Sequence, residues 1–108
     1  HVADLDGVYT QVRNRWYSTV TVTAVNAAGD PVANVSVSGA WSNGVTGTGI
    51  CVTGSNGTCS INSGSVRTNI DSMTFTVINL AATGYTYDAT ANTDPDGDSD
   101  GTVIVIIR

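Results

Sequence analysis

Residues 94–101 read Asp-Pro-Asp-Gly-Asp-Ser-Asp-Gly, which puts four of the nine acidic side chains of this 108-residue sequence on alternate positions of one short stretch. Two carboxylates about 5 Å apart repel by roughly 1–3 kcal/mol at a dielectric between that of water and a protein surface. A stretch with several such pairs therefore needs a compensating cation. Asp96, Asp98 and Asp100, followed by Gly101, have the spacing that opens an EF-hand-type loop. There, alternate side chains and then a backbone carbonyl, here that of Thr102, turn oxygen toward one hard ion. The chemistry expected is calcium binding.

The pattern stops short of an EF-hand. The twelfth position counted from Asp96, where a bidentate Glu belongs, is Ile107. The remaining oxygens must come from elsewhere, and Asp4 and Asp6 repeat the alternation near the start of the sequence. The expected ligand set is Asp4, Asp6, Asp96, Asp98, Asp100 and the Thr102 carbonyl, a clamp between the first segment and the last strand. Pro95 forces Asp94 into an extended conformation, which counts against its joining them. Asp88 and Asn92 are outer candidates. The competing reading is an acidic, solvated turn, since Asp and Gly are good turn formers; it leaves the alternation and the second acidic pair unexplained.

The elements that would hold these residues are strands. Val20, Val22 and Ala24 alternate with Thr19, Thr21 and Thr23, which predicts a half-buried antiparallel strand over Trp16–Val25. Val35, Val37, Gly39 and Trp41 alternate in the same way, as do Met73, Phe75 and Val77. Further strands are expected at 45–53, 58–62, 84–90 and 102–107, with an early edge strand over 8–13. Cys51 and Cys59 bracket Asn56-Gly57, the strongest short hairpin signal, so a cross-strand disulfide closing one hairpin is expected. A two-cysteine metal half-site lacks partners, because the sole His is residue 1 and no other thiol exists. Apolar residues nowhere recur at helical spacing for three turns. The reading is one all-β domain over 1–108, an immunoglobulin-like β-sandwich of seven to eight antiparallel strands.

Composition agrees. The chain has no Lys and no Glu, and only 12% of its residues are charged. A formal net charge of −5 leaves no basic stripe for nucleic acid, and no apolar run is long enough to span a membrane. The disulfide implies an oxidising, extracellular compartment.

Thr19-Val-Thr-Val-Thr, Asn26-Ala-Ala-Gly-Asp-Pro-Val-Ala-Asn-Val-Ser-Val and Thr53-Gly-Ser-Asn-Gly-Thr-Cys resemble the bacterial immunoglobulin-like accessory modules of secreted multidomain enzymes and surface proteins. The terminal blocks His1-Val-Ala-Asp-Leu-Asp-Gly and Asp94-Pro-Asp-Gly-Asp-Ser-Asp-Gly-Thr resemble the ends of one subgroup. The resemblance implies a non-catalytic module appended to an extracellular enzyme or strung along a surface protein. Catalysis finds no candidates of its own: the single imidazole is terminal, both thiols are assigned, and no Ser sits in a Gly-x-Ser-x-Gly elbow.

Two roles are expected for a monomeric module of this kind. One is a calcium-stiffened spacer or stabiliser beside a neighbouring domain. The other is recognition of an extracellular polysaccharide through exposed rings. Parity makes Tyr9, Tyr17 and Tyr85 the surface candidates, with Arg13 and Arg15 as flanking donors, while Trp41 belongs to the core and Tyr87 is a tyrosine-corner-like lock.

Overall fold

Alternating side chains fold the chain into strands, most of which bury one face. Gly47–Val52 and Val66–Arg67 contain no fully buried residue, and Ile50, Val105 and Ile107 turn apolar side chains outward. The computed structural model describes residues 1–94, 97 and 99–108; Pro95, Asp96 and Asp98 lie outside the described residues. The strands are β1 (Val2–Val12), β2 (Arg15–Ala24), β3 (Ser36–Ser42), β4 (Gly47–Val52), β5 (Thr58–Asn62), β6 (Val66–Arg67), β7 (Ser72–Ala81) and β8 (Val103–Ile107). They form two antiparallel sheets. One runs β1-β2-β5, with the short β6 also paired to β2; the other runs β4-β3-β7-β8. In constant-type immunoglobulin domains the fourth strand extends the sheet of the first. Here β4 lies beside β3 in the other sheet.

The core is the layer between the sheets. Leu5, Trp16, Val20 and Val22 face Val37, Met73, Phe75, Ile104 and Ile106, all buried. Trp41 joins them, its ring centroid 4.9 Å from that of Phe75. Gly39 is where that ring lies: a Cβ there would sit 2.1 Å from Phe75 Cζ. Trp16 is anchored as well as packed, its Nε1 donating to Ile70 O at 2.8 Å.

Three expectations are corrected. First, Cys51 and Cys59 are bonded, with Cα atoms 5.9 Å apart, but they do not close a hairpin: β4 and β5 belong to different sheets. Thr53 still belongs to the second sheet, its N–H donating to Val35 O and its carbonyl accepting from Asn34 N–H. Four residues later Gly57 O accepts from Ala24 N–H in the first sheet. The Asn-Gly turn is thus a corner between sheets, and the disulfide staples the sandwich along that edge.

Second, 84–90 is not a strand. Gly84 turns at φ +72°, and a 3₁₀ turn follows over Ala89–Ala91, N-capped by Asp88. Third, the early strand begins at Val2, not Val8. A register shift between Val2 and Asp4 makes Ala3 the extra residue, so Val2 and Leu5 both face the core although three positions apart.

Candidate metal centre

Asp4 and Asp6 sit on β1 opposite Thr23 and Thr21 of β2, on the face turned away from Leu5 and the core. Their two-residue spacing puts the carboxylates side by side along the strand. The other edge of β1 is not paired in the sheet, and the segment that leads toward β8 docks against it. Thr93 N–H donates to Val2 O at 2.9 Å, Val2 N–H donates to Asn92 Oδ1 at 2.8 Å, and Thr93 Oγ1 donates to Ala3 O at 3.4 Å. These bonds bring Asp94 to Asp4 and Asp6. One carboxylate oxygen from each of the three lies within 4.8 Å of the others, and all three residues are half-buried.

Asn92 organises this junction. Besides accepting from Val2, its Nδ2 donates to Tyr87 Oη at 2.6 Å and to Thr102 Oγ1 at 2.9 Å. It therefore ties β1, the loop and the start of β8 together as a positioning residue. Gly101 closes the loop at the other end. At φ +86° its backbone lies against Thr93, where a Cβ would meet Thr93 backbone atoms at 2.6–2.8 Å. Ser99 Oγ donates to Asp94 Oδ2 at 2.7 Å and accepts from Gly101 N–H at 3.0 Å.

The predicted ligands divide. Asp4 and Asp6 come together, and Asp94, which the argument from Pro95 set aside, completes the group. Its signal was present in the sequence, since it stands two positions before Asp96 in the same alternation. Asp96 and Asp98 lie outside the described residues. Asp100 is not in the group; its Oδ1 accepts from Val103 N–H at 2.7 Å and Thr102 N–H at 2.9 Å. Those two N–H groups, Val103 first, hold the Asp100 carboxyl below its ordinary range. Thr102 O accepts from Val77 N–H at 2.8 Å. Asp88 is occupied as the N-cap, its carboxyl likewise held low by the Thr90 hydroxyl and N–H.

No protein-family model, curated protein or solved structure matches this chain. The chemistry of the donors therefore carries the site. Three carboxylates with no imidazole or thiolate among them suit a hard cation such as calcium, which takes oxygen ligands only.

The three candidate tyrosines do not share a plane. Tyr9 pairs with Ser18 on the core-facing side of β1, edge-on to Trp16 at 6.1 Å, and is 48% exposed. Tyr17 lies on the opposite, outer face of the same sheet. Tyr85 rather than Tyr87 is the lock: its hydroxyl donates to Val25 O at 2.9 Å and accepts from the His1 nitrogen. Burial, and then the neighbouring Tyr87, raise its pKa above the usual phenol value.

Proposed function

We propose that this domain is a non-catalytic, calcium-stabilised immunoglobulin-like accessory module of a secreted bacterial protein, serving as a spacer or stabiliser beside a neighbouring domain. The observation that carries the reading is the convergence of Asp4 and Asp6 from the first strand with Asp94 from the segment before the last. Left uncompensated, three carboxylates so placed push the first strand and that segment apart. A calcium ion would convert the repulsion into a clamp joining two regions about ninety residues apart in the chain.

Two further features support the non-catalytic part. The disulfide occupies both thiols, and the chain has no Lys and no Glu to serve as nucleophile or general base. The disulfide suits an oxidising compartment, and no helix among the described residues is long and apolar enough to cross a membrane. The separation of the three tyrosines favours a spacer over a platform of stacked rings for neutral sugars.

The test is a thermal scan in calcium against one in EDTA. At free calcium a hundredfold above its dissociation constant, linkage stabilises the fold by about 2.7 kcal/mol. Identical melting in the two buffers would reject the calcium reading.

A further inference from the structure

The chain has four cationic side chains, all arginine, and the fold sets two of them directly opposite each other: Arg15 on β2 pairs in register with Arg67 on β6. Like charges facing across a ladder destabilise a sheet. Among the described residues neither is in an ion pair; the pair that exists joins Arg108 to Asp71 at 3.9 Å.

Arg15 is also held in place. Its Nε donates to Ser65 Oγ at 3.1 Å and its Nη2 to Ser65 O at 2.9 Å, which leaves the rest of its fork free. Tyr17 shares the outer face, two positions along β2. Arg15 and Tyr17 also line a mainly apolar depression of about 410 Å³ together with Val12, Arg13, Asn14 and Ser65; Arg67 stands outside that lining, across the ladder from Arg15. That volume is in the range of small-ligand sites, roughly 300–1,000 Å³.

We infer that this outer face of the β1-β2-β6 region binds a carboxylated polysaccharide, with the Arg15 and Arg67 guanidinium groups on the uronate carboxylates and a sugar ring against Tyr17. Planar guanidinium forks match carboxylates in bidentate fashion, and an aromatic face covers the CH-rich side of a pyranose. A neutral glycan would need several coplanar rings, which this domain lacks; an acidic one supplies its own handle. The net charge of −5 does not forbid the interaction. From Asp4 to Arg13 the extended β1 spans about 30 Å, several times the Debye length of about 8 Å at physiological salt. The inference does not rest on calcium, since the acidic cluster lies at the other end of β1.

The experiment is titration of the domain with trigalacturonate in calcium-containing buffer, followed by NMR or calorimetry. Binding is expected, weakening as salt rises. Arg15→Gln and Arg67→Gln each lower affinity by about tenfold or more. Arg108→Gln removes the same charge from a guanidinium already tied to Thr68 O and Asp71, and leaves affinity unchanged. Arg67→Gln melts no lower than the native domain, because it relieves a like-charge pair. No binding, equal binding of the methyl-esterified trimer, or equal loss in Arg108→Gln overturns the inference. So does salt-sensitive self-association abolished by Arg67→Gln, which would assign the surface to the acidic end of a second copy. Calcium-independent melting alongside trigalacturonate binding would remove the calcium reading and leave this one standing.

Discussion

Asp6→Asn separates a metal cluster from a merely acidic surface. Asp6 has two carboxylate neighbours, Asp4 and Asp94, with ligand atoms within 4.8 Å. At that distance each pair repels by about 1 kcal/mol in water-like surroundings, and salt brings the two together to about 1 kcal/mol. Unfolding entropy near 2.1 cal/mol/K per residue amounts to about 230 cal/mol/K for this chain, so 1 kcal/mol is about 4 °C. In EDTA the variant is therefore expected to melt about 4 °C above the native domain. If calcium occupies the cluster, a hundredfold excess over its dissociation constant is expected to raise the native melting temperature by about 12 °C. If the lost ligand weakens affinity about tenfold, the same calcium raises the variant by only about 6 °C. Opposite signs, a higher baseline and a smaller calcium increment, are the signature, read by calorimetry in the two buffers. A variant that melts lower by the same amount with and without calcium would refute the reasoning.

Reduction of Cys51–Cys59, or their joint replacement by Ser, is expected to cost about 2.5 kcal/mol, or about 11 °C, because the bond closes a short loop between two sheets; a scan with and without reductant measures it. Gly101→Ala should cost about 2–3 kcal/mol and abolish the calcium increment, since its Cβ displaces the Thr93 backbone that carries Asp94. Gly97→Ala, at φ +76° with nothing within 4 Å of a Cβ, should cost about 1 kcal/mol and keep the increment. The Asp100 carboxyl is held below its ordinary value near 3.8, so the stability it contributes is present above that pH and is lost as pH falls through the lower native value. Asp100→Asn should flatten the dependence of melting temperature on pH below about 4 and leave the neutral range alone; an unchanged acid limb counts against this assignment.

Alternation made β2 readable because it buries one face: Val20, Val22 and Ala24 are buried and Thr19, Thr21 and Thr23 are not. The Asn-Gly turn was readable too, but not the sheet to which each arm belongs. That depends on distant partners: Thr53 Oγ1 donates to Val32 O at 2.7 Å and accepts from Val35 N–H at 3.0 Å, keeping 53 with the second sheet. Parity failed at Tyr85 and Tyr87 because the segment is a turn with no strand period to follow. A proline restricts the residue before it but says nothing about where that residue docks. Hydrogen bonds that tie Asn92 and Thr93 to Val2 of β1 are what deliver Asp94. Local rules describe the shape of such a segment; its docking depends on hydrogen bonds to residues about ninety positions earlier.

The two outer strands β1 and β8 lie along the same edge of the sandwich, close enough that a Cβ on Gly7 would meet Ile106 Cγ1 at 2.8 Å. Both run from the acidic end toward the arginine end of a body 44 Å long. A pull applied to the start of β1 and the end of β8 would load the rungs of the β1-β2 and β7-β8 ladders together in shear, instead of peeling them singly. We predict that single-molecule extension breaks the domain in one high-force step, and that Asp4, Asp6 and Asp94 sit where that force first arrives. Gradual, low-force unravelling would show that the outer strands peel. A single high-force step would make the sandwich a tension element, and a calcium-dependent force would show that the acidic cluster sets its grip.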